Sequence, residues 1–418
     1  MTTRMNTLRA AAALLGLVAA AATAQPRPPA RPGIVAIDDQ LTEHRLETFQ
    51  FVRAAGGYTL TLDPLATDRS ADPRWIAAFG PTDPDAPPPL LRGGESSAVF
   101  VVELTDGQRL PALILPSATD DTLTLDLIAL GEVELPLEAV RRVRSIDEPA
   151  TRDDAGLDDL VRLRNGDRLT GFVATLGPSI IIETDLGERT LPLESVAEIV
   201  LANEPATSTA PLLWLDSGVI IAARSLTQPN PTSFEITPAE PIGARAGTWR
   251  LSRADLQGVL LAPDRWIALA ATEPTARRAM DDRRWLPPLI AGNPASAVLA
   301  TPDLEIPGPM EVQWSLPPDA ERFSTRITLP ESARVWGDFE FVVLTRDARG
   351  GERELHRVRL HAGEPTAVVA ADLRPPTGNP APTTLLLRIE AGQRGPIDDR
   401  AVLTRPIVLR GAPDEPQP

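Results

Sequence analysis

The sequence predicts an all-β protein in which tandem small five-stranded barrel-like cassettes are followed by a jelly-roll-like β-sandwich. A β-rich block at 98–148 recurs at 158–204 and, in divergent form, at 211–262. The region 264–410 carries longer segments that also alternate apolar and polar residues. Alternation with a period of two is typical of half-buried strands, and self-similar blocks indicate modular architecture.

The first cassette, 98–148, shows why each copy should form short, strongly turned strands. Asp106-Gly107 follows an alternating apolar segment, Gly131 marks a second turn, and Leu-Pro-Leu-Glu at 135–138 predicts one 3-10 turn before the last strand. The second cassette, 158–204, repeats this pattern with Asn165-Gly166. A glycine after Asp or Asn between two strands favours a turn with positive φ. We therefore expect positive φ at Gly107 and Gly166.

The third cassette and the N-terminal region follow the pattern less closely. In 211–262, Gly218 takes the turn position, and Trp249–Ser252 stands where Leu-Pro-Leu-Glu stood. Residues 25–97 are predicted to be a linker with a partial β cassette, whose hairpin surrounds Gly56-Gly57. Whether this segment forms a true cassette is left open at this stage.

The first 24 residues have the features of a secretory signal peptide. Arg4 and Arg9 flank a short N-terminal region that precedes the apolar run Ala10–Ala22. Ala22-Thr23-Ala24 fits a small-residue cleavage site. We expect cleavage after Ala24 and a periplasmic or secreted location. The run is shorter than the roughly 20 residues that span a bilayer, and no later run is longer, so no membrane span is predicted.

Composition excludes several chemistries. The chain has no cysteine, and all 41 of its basic residues are arginine, so thiolate and lysine chemistry are absent. A net charge of −16 disfavours nucleic acid as a partner. His44, His356 and His361 do not form a metal motif, and no Gly-x-Ser-x-Gly occurs. We predict no catalytic residues, no metal and no cofactor; a two-carboxylate glycosidase is the enzymatic alternative.

The C-terminal region, 264–410, predicts a sandwich followed by a polar tail at 411–418. Residues 273–285 have the composition of a helix. Seven longer strands follow, at 310–316, 322–329, 339–346, 355–360, 366–371, 384–389 and 401–409. Trp314 shares a strand face with Val312 and Leu316, which predicts a core position.

Two segments resemble known families. Residues 161–171 are similar to the first motif of Sm-like barrels, but the stretch that should carry an RNA-binding Asn reads Pro178–Glu183, so we retain only the implied fold. The second resemblance rests on five pieces at 316–324, 336–344, 360–365, 368–373 and 389–409. Through them residues 264–410 resemble the NPCBM family of carbohydrate-binding modules.

The NPCBM resemblance implies where a ligand would bind. It places Trp336, Asp338, Asp398 and Asp399 in loops, where a sugar could stack on the indole and bond to the acids. Family members carry a Gly-rich, His-containing loop where 301–308 stands here, which implies weak binding.

Three functions follow as expectations. The first is an exported non-catalytic protein that binds carbohydrate weakly at the cell envelope through the sandwich. The alternative is an envelope scaffold for protein interaction without a glycan ligand, and the third is an accessory part of a glycoside hydrolase system. Glycan binding requires an exposed aromatic at the sandwich rim, whereas a scaffold requires an exposed apolar patch on the cassettes.

Overall fold

The protein is built from antiparallel strands. The computed structural model describes residues 34–46, 49–54, 57–62, 75–80, 99–127, 130–148, 156–230, 232–242, 247–292 and 297–412. Helical segments within these ranges are 3-10 turns of three residues, so the prediction of an all-β chain is confirmed. The expected signal peptide and its cleavage after Ala24 lie outside the described residues, as does the tail beyond 412.

The N-terminal segment contains three strand pairings. Its first strand lies between the second and the fifth, and its third and fourth strands form the predicted hairpin, of which Gly56 lies outside the described residues. The strands are β1 (Ile34–Asp38), β2 (Glu43–Leu46), β3 (Phe49–Ala54), β4 (Gly57–Leu62) and β5 (Trp75–Phe79).

Each of the three cassettes has five strands with the same order. The first four form a meander, and the fifth returns to pair with the first. The strands of the first cassette are β6 (Phe100–Leu104), β7 (Arg109–Leu115), β8 (Thr122–Leu127), β9 (Gly131–Pro136) and β10 (Val140–Ser145). Those of the second are β11 (Asp159–Leu163), β12 (Arg168–Leu176), β13 (Ser179–Thr184), β14 (Gly187–Pro192) and β15 (Val196–Val200). Those of the third are β16 (Leu212–Leu215), β17 (Ile220–Asn230), β18 (Ser233–Pro238), β19 (Trp249–Ser252) and β20 (Leu256–Leu260).

The turn glycines behave as predicted. Gly107 and Gly166 have φ of 87° and 93°, and Gly218 has 80°. Each donates its N–H to the carbonyl of the leucine that ends the first strand, at 3.2, 3.0 and 3.0 Å. The three turns are therefore equivalent, and a side chain at any of them would require a backbone conformation that L-residues rarely adopt.

One alignment within the third cassette was wrong by two residues. Its 3-10 turn is Arg253–Asp255, so Leu251 occupies the place that Leu135 has in the first cassette, not Trp249. The pairing of Leu251 with Phe234 corresponds to that of Leu135 with Leu123. Ser252 caps the turn by accepting the N–H of Ala254, so local capping replaces the proline that marks the other copies.

The expected barrels do not close among the described strands. The fifth strand of each unit pairs outward: β10 with β15, centred on Val143 and Ile199, and β20 with β5, centred on Val259 and Ala78. The open N–H and C=O edge of each closing strand is thus satisfied by another unit instead of by the fourth strand of its own. Barrel-like units therefore merge into a continuous sheet.

The C-terminal region forms two facing sheets. One has the order β23-β24-β31-β26-β29, with β21 also on β31, and the other has β22-β25-β30-β27-β28. All seven predicted strands are present. The strands are β21 (Trp266–Ala268), β22 (Ala276–Ala279), β23 (Ile290–Ala291), β24 (Leu304–Pro307), β25 (Met310–Ser315), β26 (Ala320–Thr328), β27 (Phe339–Asp347), β28 (Glu352–Leu360), β29 (Thr366–Asp372), β30 (Pro382–Ala391) and β31 (Arg400–Arg410).

The predicted helix at 273–285 is wrong. Ala276–Ala279 is an edge strand that pairs with β25, with Ala276 opposite Gln313 and Ala279 opposite Met310. Its residues are mostly exposed, so a helix here would have had little apolar surface to bury, whereas the sheet edge supplies backbone partners. Tertiary pairing overrides the local preference.

The cassettes pack against the sandwich. Phe79 of the N-terminal segment and Trp214 of the third cassette share a buried apolar cluster with Ile407 and Leu409 of β31. Glu43 is bound by Arg326 at 3.2 Å and also by Arg405. The described residues between 34 and 412 thus pack as one unit, and the domain boundaries predicted within it stay predictions.

Candidate functional site

Contacts within the fold occupy part of both outer faces of the sandwich. Part of the outer face bearing β31 lies against the cassettes. The other carries charges that compensate one another: Arg357 binds Glu340, Glu390 and Glu354 at 2.5, 2.7 and 2.8 Å. On the same face Arg388 binds the fully buried Glu311. The residues predicted to bind a ligand lie instead at one end of the sandwich.

At one end, which we call the loop end, five connections cross between the sheets side by side. Because the two sheets have matching strand orders, each connection joins two strands that occupy the same position, first to fifth, in their sheets. In spatial order they are 280–289 (β22 to β23), 308–309 (β24 to β25), 392–399 (β30 to β31), 329–338 (β26 to β27) and 361–365 (β28 to β29).

Trp336 stands on the fourth connection and is 56% exposed. A 3-10 turn precedes it, and the carbonyl of Ala333 accepts the N–H of Trp336 at 3.3 Å and that of Gly337 at 2.7 Å. A Cβ on Gly337 would lie 2.9 Å from the carbonyl oxygens of Ala333 and Asp398. The glycine therefore allows the third and fourth connections to touch, and this contact fixes the base of the exposed indole.

Asp338 is held beneath the surface in an ion pair. Its side chain is 1% exposed, and its two oxygens accept from Nε and Nη2 of Arg359, both at 2.7 Å. These hydrogen bonds lower the pKa of Asp338. A fork-to-carboxylate pair of this kind is strong and directional. Because its side chain is buried in this pair, Asp338 presents no carboxylate oxygen to a ligand at the surface.

Asp399 is also buried, at 2% exposure. Its Oδ1 accepts the backbone N–H of Asp338 at 3.1 Å, while Oδ2 has no partner. Burial raises the pKa of Asp399 to about 6, and the charges of Asp338 and Asp398 add to this effect while Arg283 opposes it. The adjacent Asp398 is exposed and has a φ of 55°.

The structure therefore gathers the four predicted residues at one end but divides them into two layers. Trp336 and Asp398 face solvent, whereas Asp338 and Asp399 lie below. Val335 and Ile397, 66% and 55% exposed, extend the apolar surface on the same two connections.

Two residues at this end were missed by the sequence interpretation. Arg394 is exposed, and its Nη1 donates to the carbonyl of Val335 at 2.9 Å, which places a guanidinium next to Trp336. Trp285 is 70% exposed on the first connection. Trp285 was missed because it was assigned to the end of the predicted helix. Pro287-Pro288, shortly after it, is a signal that favours a loop.

The opposite end of the sandwich has a different character. Trp314 is 2% exposed, as predicted for a core residue, and its indole N–H donates to the carbonyl of Thr272 at 3.3 Å. An apolar cleft of about 280 Å³ opens beside it, lined by residues such as Ile267, Leu316 and Val408. The rim hydroxyl of Thr275 bonds to the carbonyl of Gln313, so this hydroxyl is already occupied within the fold.

Within the part of the chain that the structure describes, no group of three or more His, Cys, Asp or Glu side chains could hold a metal ion. His44 pairs instead with Asp38 at 2.8 Å and meets Trp75 edge-on at 5.2 Å. The described ranges contain no helix with the length and apolar character needed to cross a membrane.

Comparison with known proteins adds little. No family model and no curated protein matches the chain. Solved structures with some likeness include the CBM51-2 and INT domains of Clostridium perfringens ZmpB with GlcNAc (11% identity, TM-score 0.27). This match covers 46% of this chain and 40% of that chain. Another is the tandem CBM51 modules of a family 98 glycoside hydrolase from Streptococcus pneumoniae (10% identity, TM-score 0.27; 75% of this chain, 88% of that chain).

A third is the CBM51 of Clostridium perfringens GH95 with methyl-galactose (10% identity, TM-score 0.26; 34% of this chain, 99% of that chain). TM-scores this low do not establish a shared fold, and the chain spans only about 40% of the length of the first structure named. The NPCBM resemblance accordingly stays a prediction, and the function must be argued from the geometry of the loop end.

Proposed function

We propose that the protein is an exported, non-catalytic binding protein that holds carbohydrate weakly at the cell envelope, on the loop end of its C-terminal sandwich. The observation that carries the proposal is Trp336, an indole 56% exposed on a connection whose base is fixed by the Gly337 contact. A pre-positioned aromatic side chain presents its area at low entropic cost on binding.

The groups around Trp336 suit a neutral sugar. The apolar face of a pyranose ring can stack on the indole, while its hydroxyls donate to the exposed Asp398 and accept from Arg394. One carboxylate and one guanidinium of opposite sign favour a ligand without net charge. Because Asp338 and Asp399 are buried in the fold, few polar contacts are available, and the affinity should be weak.

The test is calorimetric titration of the full mature chain with a panel of oligosaccharides selected on a glycan array. Trp336→Ala should remove binding, and Asp398→Asn should weaken it. Phe172→Ala is the matched control, since Phe172 is 63% exposed on the second cassette. Undiminished binding by Trp336→Ala, or loss of binding by Phe172→Ala, would exclude the proposed site.

A second function, the protein-interaction scaffold, has its own supporting observation. Leu157, which immediately precedes the second cassette, is 99% exposed, and Leu186 and Phe172 within the cassette are 86% and 63% exposed. Exposed apolar side chains of this size mark interaction surfaces when they are contiguous. Absence of any glycan ligand, together with an envelope partner that is lost on Phe172→Arg, would favour this function. Service as an accessory part of a glycoside hydrolase system is compatible with the first proposal and is supported by no separate observation.

A further inference from the structure

The loop end carries a second exposed tryptophan in line with the first. Trp285 belongs to the first of the five connections and Trp336 to the fourth. Neighbouring strands lie about 4.8 Å apart, so connections three ranks apart are separated by roughly 14 Å. The two indoles therefore stand at two points of one row, farther apart than one sugar ring can reach.

The connection that bears Trp285 is anchored on both sides. The N–H of Met280 donates to the carbonyl of Pro309 at 3.3 Å, and Nη2 of Arg283 donates to the carbonyl of Gly308 at 3.1 Å. Leu286 and Leu289, which follow Trp285, pack against the sandwich core. With its neighbour turned inward, Trp285 stays in solvent at 70% exposure.

The second and third connections lie between those that bear the two indoles. The second connection consists only of Gly308 and Pro309. The third carries Ile397 and Asp398, both exposed. An extended ligand could thus lie over the row, with an aromatic platform beneath each end and a carboxylate between them.

We infer that Trp285 is a second stacking platform and that the ligand is a linear oligosaccharide bound across the row from Trp336 to Trp285. This inference rests on the proposed function, because it takes the ligand of Trp336 to be a carbohydrate. The two large indoles lie in solvent on anchored backbone. An oligosaccharide would account for both, because its successive sugar rings offer apolar faces at regular intervals.

The test compares short and long probes on the full mature chain. N-acetylglucosamine, glucose and xylose are titrated beside their β-1,4-linked hexamers. The wild type should bind one of the hexamers at least about tenfold more tightly than the corresponding monosaccharide. Trp285→Ala should weaken that hexamer about two- to tenfold, the range expected for loss of one aromatic contact, and leave the monosaccharide unchanged.

Two controls separate stacking from structure. Trp285→Phe keeps an aromatic ring and should retain most of the hexamer affinity. Leu186→Ala removes a side chain that is 86% exposed on the second cassette, outside the sandwich, and should change nothing. The thermal midpoint of each variant shows that it is folded.

The binding results distinguish failure of the second platform from failure of the carbohydrate site itself. If Trp336→Ala abolishes binding while Trp285→Ala leaves the hexamer affinity unchanged, the inference is overturned and the proposed function stands. Equal affinity of the wild type for monosaccharide and hexamer has the same consequence. If the wild type binds none of the six probes, both the proposed function and the inference are rejected for neutral β-linked glycans of this kind.

Discussion

The two ends of the C-terminal sandwich use tryptophan in opposite ways. At one end Trp314 is 2% exposed, its N–H is bonded to Thr272, and it closes the core beside an apolar cleft. At the loop end Trp336 is 56% exposed, and its backbone N–H donates to the carbonyl of Ala333. The first position lies within a strand and the second in a connection between sheets. The same side chain is thus buried in the core when a strand of the sheet presents it and left in solvent when a loop presents it, and loops are where binding residues are most often found.

The largest effect should come from the buried tryptophan. Trp314→Ala removes a fully enclosed indole and leaves a cavity, so we expect a loss of about 3–5 kcal/mol in the free energy of unfolding. Urea denaturation of the variant and the wild type measures it. A loss below about 1 kcal/mol would mean that this end of the sandwich is not closed by Trp314, and the contrast between the two ends would fail.

The next effect concerns the buried acid below the loop end. Asp399 has a pKa of about 6 in the folded protein and an ordinary value of 3.8, so folding favours its protonated form. Between pH 3.8 and about 6, Asp399 keeps its proton in the folded state but loses it in the unfolded state. The contribution of Asp399 is therefore fully present below pH 4 and is lost as pH rises through 6.

Asp399→Asn should remove this pH dependence. It keeps Oδ1 as an acceptor for the N–H of Asp338 and should stabilise the protein at pH 7 by up to about 3 kcal/mol. Urea midpoints of the variant and the wild type between pH 4 and 8 provide the measurement. If the two proteins show the same pH profile, the carboxyl group of Asp399 is not desolvated as described.

A smaller effect is expected at the contact that supports Trp336. Gly337→Ala places a Cβ 2.7 Å from Cδ1 of Leu329 and 2.9 Å from two backbone carbonyl oxygens, which cannot move freely. We expect a loss of about 1–3 kcal/mol together with weaker glycan binding. Gly350→Ala is a useful reference: a Cβ there meets no atom within 4 Å, so its cost should come from the positive φ of 85° alone. A Gly337→Ala variant that retains full stability and full binding would contradict the proposed support.

The smallest effect on stability belongs to the exposed tryptophan itself. Trp336→Ala should change the free energy of unfolding by no more than about 0.5 kcal/mol, because its indole is mostly in solvent. Thermal melts run beside the binding assay show whether loss of affinity occurs without loss of stability. A destabilisation comparable to that of Trp314→Ala would make Trp336 a structural cap, and the proposed site would have to be abandoned.

Local rules account for the parts of the prediction that are confirmed. Alternation along the chain placed the strands, and Asp or Asn before glycine placed the turns at Gly107 and Gly166, because both depend on a few neighbouring residues. The prediction for Trp314 succeeded for the same reason: residues two apart on a strand share a face. The predicted helix at 273–285 failed because its outcome depended on a distant partner, β25.

The sequence by itself determined the secondary-structure class, the repeated five-strand pattern and the buried position of Trp314. Only the tertiary structure decided that β10 pairs with β15 instead of closing a barrel. It also decided that Asp338 is buried in an ion pair with Arg359 while Asp398 is exposed to solvent. It alone placed Trp285 in the same row of connections as Trp336. The physical reason is that strand edges and buried charges take their partners from residues far away in the chain. Which partner is within reach is set by sheet order and register, and neither is encoded in any short segment.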